Sequence, residues 1–211
     1  FECNITMPLQ VLVSAATTNC KRFINIDSFY TKFPDCNQNM KNYVISKSQF
    51  SSFGRQIATN VGIDFYNVVL EHLYGLDDSE QKFVNWLGKQ VSNNATSVNL
   101  TEGHQKRDFI YIDDVVTACM TILKKVPFSE NFNQFDVGSG QSIKVKTFLE
   151  LLKKIYESNI GTVKTKLDFG ALPYKEREKM TTEVNNNAII KLGWSPKIDL
   201  KTGLKNILES K

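Results

Sequence analysis

Apolar residues fall at helical spacing in one segment and crowd into short runs in the next, and this alternation repeats along the chain. In MPLQVLVSAATTNC the apolar side chains of Leu9, Val11, Leu12, Val13 and Ala16 predict a helix packed on a sheet, and RFINI after it predicts a short buried strand. From Tyr43 onward Val44, Phe50, Phe53 and Ile57 keep helical spacing, Gly62 punctuates, and DFYNVVLEHLYG predicts a single strand ending at Gly75. Asp77, Asp78 and Ser79 supply N-cap chemistry for a helix with Phe83, Leu87 and Val91 on one face, followed by the loop SNNAT. SVNL and DFIYI predict strands flanking the turn TEGHQK. Asp113 and Asp114 open a helix carrying Val115, Ala118, Cys119, Ile122 and Val126, and NQFDVG predicts the next strand. After GSGQS comes a helix with Val145, Phe148, Leu149, Leu152 and Tyr156 on one face, then the strand VKTKLDF, a polar loop, and a short helix beyond GWSPKIDL.

Strands separated by helices of about ten or more residues need crossover connections, so the pattern predicts an α/β fold with a doubly wound parallel sheet covered on both faces. The composition, 41% hydrophobic and 23% charged over 211 residues, supports one sizeable core or two small ones. The net charge of +4 is carried by short basic doublets such as Lys124-Lys125 and Lys153-Lys154, interrupted by acids. That is the pattern of solvated helix faces rather than of a nucleic-acid track, and it equally suits a small anionic ligand. No apolar run approaches the roughly 18 residues that cross a bilayer, and FECNITMPLQVL lacks a basic n-region and cleavage site, so a cytoplasmic protein is expected. Four scattered cysteines without C-x-x-C spacing and only two histidines give no framework for a metal or for disulfides; reduced thiols are expected.

Candidate chemistry lies in NYVISKSQF, where Tyr43 and Lys47 stand four residues apart and share one face of the predicted helix. An ammonium held beside a phenol stabilises the phenolate and eases proton exchange with an alcohol or ketone, which suits hydride chemistry; the same spacing also arises between two surface side chains. Ser28 falls just past RFINI, at the carboxyl edge where open parallel sheets place their ligands; a turn or cap serine is the other reading. GSGQS follows a strand and precedes a helix, yet G-x-G without a third glycine describes a tight turn as well as a phosphate cradle.

Taken in order, FINIDS, YVISK, VVLEHLYG, EGHQKRDFIYIDDVVTA, FDVGSGQSIKVKTFLELL, ALPYKEREKM and LGWSPKIDLKTGL resemble the extended short-chain dehydrogenase/reductases, within them the NAD-dependent epimerase/dehydratase family acting on nucleotide sugars. The N-x-D-[ST]-F segment and its short gap to Y-x-x-S-K are most similar to CDP-abequose synthase-like 4-ketoreductases of bacterial surface-polysaccharide synthesis. The resemblance implies Ser28, Tyr43 and Lys47 as catalytic residues, with Tyr43 and Lys47 also on the cofactor. It implies Arg107, Glu178, Tyr174 and His72 as substrate contacts. Arg107 would otherwise pair at the surface with Asp108 or Asp113, and His72 would otherwise pack at a strand end. Lys175 stands where the P-Y-R-x-x-E motif has its arginine, and Phe29 and Tyr30 replace the Asp-Glu pair of 4,6-dehydratases, which disfavours dehydration.

By the same resemblance the chain begins midway through a Rossmann domain. Residues 1–76 would be its C-terminal half, with the Ser/Tyr/Lys site, and 77–211 mainly a nucleotide-sugar domain, with segments around 109–140 returning to the Rossmann sheet. The glycine turn that holds the pyrophosphate and the residue that chooses between NAD and NADP are not in this chain, so the cofactor is expected to be either one. The expected partner is a nucleotide-diphosphate sugar, with no nucleic acid, membrane or metal, and a homodimer or a preceding segment would cover exposed sheet and helix surface. The expected function is an NAD(P)-dependent nucleotide-sugar 4-ketoreductase or 4-epimerase in N-terminally truncated form; a non-catalytic scaffold that keeps the fold is the alternative.

Overall fold

A computed structural model describes residues 1–35, 40–76, 78–79, 81–126 and 132–209. In chain order the elements are α1 (Met7–Thr17), β1 (Arg22–Ser28), α2 (Lys41–Val61), β2 (Asp64–Leu70), β3 (His72–Tyr74), α3 (Phe83–Ser92), β4 (Ser97–Leu100) and β5 (Lys106–Tyr111). They continue with α4 (Ile112–Lys125), β6 (Phe132–Val137), β7 (Ser142–Lys144), α5 (Val145–Ile160), β8 (Lys166–Phe169), α6 (Asn187–Lys191) and α7 (Leu200–Glu209). Two units result, one of Phe1–Glu71, Val115–Val137 and Val184–Ser195, the other of His72–Asp114, Gly138–Glu183 and Pro196–Lys211.

In the first unit β1, β2 and β6 form a parallel sheet in that order. Every residue of β2 is buried, as expected of a central strand covered on both faces. Register aligns three rows across one face: Phe23–Phe65–Phe132, Asn25–Asn67–Gln134, and Asp27–Val69–Asp136. The aromatic row is stacked, with centroids 5.6 and 6.1 Å apart, and Phe50 of α2 packs on it. The sheet face therefore grades from hydrocarbon at its amino end to polar groups at its carboxyl end.

The helix α2 can approach this row because residue 54 is glycine. A Cβ there would lie 2.6 Å from the Phe65 ring. Gly54→Ala gains about 1 kcal/mol of helix propensity but overpacks at a cost of roughly 1–3 kcal/mol, so a net loss of up to about 2 kcal/mol is expected in urea unfolding. Gly62, at φ +70, is the left-handed C-cap that ends α2.

The second unit contains the sheet β3–β5–β7, in which β7 runs antiparallel to β5, and the parallel pair β4–β8. Its core is the predicted apolar face of α5, with Phe148 stacked 3.9 Å from Phe109, joined by Leu87 and Val91 of α3 and Leu204 and Ile207 of α7.

The α/β class predicted from the pattern holds, and the structure differs from the pattern in detail. The expected single strand 64–75 breaks at Glu71: its N–H donates to Val137 O (3.0 Å) and its buried side chain faces Lys32, so β2 ends with its own sheet and β3 joins another. Val11 and Val13 are exposed (54% and 52%), because the face of α1 that turns inward carries Leu9, Leu12, Ala15 and Ala16, and their neighbours lie about 100° away. Asp78 and Ser79 cap a turn of their own rather than α3, whose N-cap is Lys82; Asp77 lies outside the described residues.

Candidate active site

The parallel strand β1 ends at Ser28, where the chain tightens into a 3-10 turn, Phe29–Lys32. The Ser28 N–H donates to Asp27 Oδ1 (2.8 Å), its Oγ accepts from the Tyr30 N–H (3.4 Å), and its carbonyl accepts from Thr31 Oγ1 (2.8 Å). Ser28 is thus both a cap and a residue at the carboxyl edge of the sheet. Among the described residues its O–H donates to nothing.

Half-buried Tyr43 lies in the first turn of α2, and Lys47 lies one turn further on the same face. The Lys47 Nζ donates to the Ile26 carbonyl (2.8 Å), which ties the helix to β1 two residues before Ser28. Burial pulls the Lys47 ammonium below its usual range, and the Asp27 carboxylate opposes that pull. Ser28, Tyr43 and Lys47 therefore belong to one unit, on the two elements joined by the lysine.

The other four candidates belong to the second unit. Arg107, 6% exposed, extends its fork to Glu178, to Lys179 O (2.6 Å) and to Lys106 O (2.7 Å). Its partner is Glu178 rather than the Asp108 or Asp113 that sequence proximity suggests. The Tyr174 hydroxyl accepts from the His104 N–H (2.9 Å) and so ties down a loop.

His72 is half-buried, its ring 5.6 Å from that of Phe109. Desolvation pushes its pKa down to about 3; the Arg107 cation adds to this, and a hydrogen bond with the Asp108 backbone opposes it. The folded imidazole stays neutral while the unfolded one protonates near pH ~6.5, so this residue costs stability as pH falls through the window from about 6.5 to 3. His72→Gln is therefore expected to lose less stability on acidification than wild type. The difference should grow by up to about 1.4 kcal/mol per pH unit, read from urea midpoints; parallel curves would contradict it.

The GSGQS turn has convergent N–H groups, and an internal anion fills them. Ser139 and Gly140 N–H donate to the two oxygens of buried Asp108 at 2.7 Å each. Burial pushes the Asp108 carboxyl up, and the turn N–H groups pull it back. The segment continues into β7 before α5 begins, so it is a connecting turn and not a phosphate cradle.

Ser28 at the sheet edge, with Tyr43 and Lys47 on the adjoining helix, forms the candidate site of this α/β fold. The model of the NAD dependent epimerase/dehydratase family matches residues 1–138, and the chain belongs to that family of NAD(P)-dependent enzymes. It is 33% identical over 208 residues to CDP-abequose synthase of Salmonella typhimurium, covering 99% of this chain and 69% of that protein. Against CDP-abequose synthase of Salmonella muenchen the identity is also 33%, over 212 residues, with 100% and 70% covered. Among solved structures, UDP-glucose 4-epimerase of Thermotoga maritima with UDP-glucose superposes at TM-score 0.81 and 21% identity, covering 99% of this chain and 69% of that one.

The sequence pattern assigns no role to Asp27, which accepts the Ser28 N–H, to Asn67, which donates to Asp27, or to Lys32, which closes the turn after Ser28 onto Asp136. A signal existed: Asn25, Asp27 and Asn67 are polar residues at strand period inside otherwise apolar runs. Among the described residues no group of three or more His, Cys, Asp or Glu is placed to hold a metal ion, and no helix is long and apolar enough to cross a membrane.

Proposed function

We propose that the chain acts in an NAD(P)-dependent 4-ketoreductase of a nucleotide-linked sugar. The observation that carries this reading is the Lys47 ammonium seated on β1 at Ile26, which sets Tyr43 and Ser28 on adjoining elements at the carboxyl edge of a parallel sheet. Two curated relatives named CDP-abequose synthase, matched along essentially the whole chain, support the sugar-nucleotide class. The 4-epimerases among structural neighbours support the fold.

The donor set fits the nicotinamide-ribose end of a dinucleotide. An ammonium has three N–H groups and Lys47 directs one to Ile26, leaving two for ribose hydroxyls. When bound, NAD(P)H supplies the hydride that reduces a C4 ketone. Tyr43 gives its phenolic proton to the ketone oxygen, Ser28 donates its O–H to that same oxygen, and Lys47 keeps a positive charge one turn from the phenol as the proton leaves. Phe29 and Tyr30, in the turn after Ser28, carry no carboxylate for eliminating water.

The assay supplies a CDP-linked 4-keto-6-deoxyhexose with NADPH, and in parallel a UDP-hexose with NAD. Net oxidation of NADPH with a C4 alcohol as product supports the ketoreductase. Interconversion of UDP-hexoses without net cofactor change selects 4-epimerisation instead, and inactivity with both sugars contradicts the enzymatic reading.

A further inference from the structure

A file of buried polar side chains crosses the sheet toward Ser28. Asn25, Asn67 and Asp27 are 6%, 2% and 5% exposed. Asn25 Nδ2 donates to Asn67 Oδ1 (2.6 Å), and Asn67 Nδ2 donates to Asp27 Oδ2 (3.1 Å). The carboxylate so fixed accepts the Ser28 N–H on Oδ1 (2.8 Å) and the Thr31 hydroxyl on Oδ2 (3.3 Å). At its far end the same turn is latched by Lys32, whose Nζ lies 2.6 Å from Asp136 Oδ2 and 3.9 Å from Glu71 Oε1.

Burying a carboxylate is costly, and an asparagine could accept the same Ser28 bond without a charge. The charge has a use beside it: Asp27 lies between Ile26, whose carbonyl receives Lys47, and Ser28. We propose that Asp27 is a positioning residue for the site, its carboxylate fixing Ser28 and the Phe29–Lys32 turn and setting a negative charge next along the strand from the Ile26 carbonyl that receives Lys47. This rests on the ketoreductase reading. Asp27 on β1 is the charged group acting on Lys47, and Tyr43, one turn back on α2, is its other titratable neighbour. Since burial drives Lys47 toward the neutral amine and Asp27 opposes it, removing the Asp27 charge lets the lysine deprotonate at lower pH.

The test compares wild type, Asp27→Asn and Thr31→Val. Lys47 is titrated by NMR of its side-chain amine, assigned with Lys47→Arg, without cofactor or substrate; kcat, KM and the pH profile are then taken on the enzyme. In Asp27→Asn the Lys47 titration and the alkaline limb of kcat are expected to move to lower pH. Turnover should fall roughly 10-fold to 100-fold, as for a misplaced reacting group, with KM for the sugar nucleotide unchanged. Thr31→Val keeps the charge, so Lys47 should titrate as in wild type while kcat alone falls severalfold.

An Asp27→Asn protein whose Lys47 titrates at the wild-type pH, or that loses only thermal stability, overturns the proposal. Should Asp27→Asn fail to fold, an unchanged kcat in Thr31→Val overturns it. A Tyr43→Phe protein as active as wild type removes the ketoreductase reading instead, and the cofactor-free Lys47 titration still tests Asp27 by itself.

Discussion

Tyr43→Phe is expected to lower turnover by about 10²–10⁴-fold, the usual worth of a positioned general acid, equivalent to roughly 2.7–5.4 kcal/mol in the transition state. The substitution deletes one oxygen from a half-buried side chain on a long helix, so folding and the urea midpoint should stay within about 0.5 kcal/mol of wild type. The loss belongs to kcat rather than KM, because the proton moves to the ketone oxygen only as hydride arrives. Initial rates at saturating sugar nucleotide, with the variant's circular dichroism as a folding control, decide the matter. A change of less than about threefold would assign proton transfer to another group.

The second large effect is on stability. Arg107→Ala is expected to cost about 3–5 kcal/mol in equilibrium urea unfolding, because it leaves Glu178 and the carbonyls of Lys106 and Lys179 without the cation that joins them. Arg107→Lys should recover only part of this, since a single ammonium cannot reproduce a planar fork spread over three acceptors. Glu178→Gln should cost less than Arg107→Ala, for both carbonyls keep their donor. An Arg107→Ala protein within about 1 kcal/mol of wild type would place the pair in solvent instead.

Where side-chain period and element type coincide, the chain was readable in advance. The stripe Val145, Phe148, Leu149, Leu152, Tyr156 emerges as the core face of α5, and RFINI and NQFDVG emerge as strands of the first sheet. The break at Glu71 was not readable, because a run of strand formers does not encode which neighbour each residue pairs with; β6, far along the chain, decides it. The helix after Asp78 illustrates a different limit: Asp and Ser bond their own turn as readily as a helix terminus, and here the turn is favoured.

At the site, motif spacing carried Ser28, Tyr43 and Lys47 onto adjoining elements. The Arg107–Glu178 pair was not legible, since the acids near Arg107 in sequence are Asp108 and Asp113 and only the fold delivers Glu178, which stands 71 positions later. Spacing also gave no hint that Asp108 fills the glycine turn, a contact made across 31 and 32 positions.

The most direct measurement follows the hydride itself. The enzyme is supplied with NADPH deuterated at nicotinamide C4 and a nucleotide-linked 4-keto sugar, and the product is examined by NMR. Deuterium at C4 of the hexose in the wild-type reaction, accumulating about 10²–10⁴-fold more slowly with Tyr43→Phe, is the predicted result. Product that carries no deuterium at C4, or equal rates of labelling by both proteins, would contradict the account.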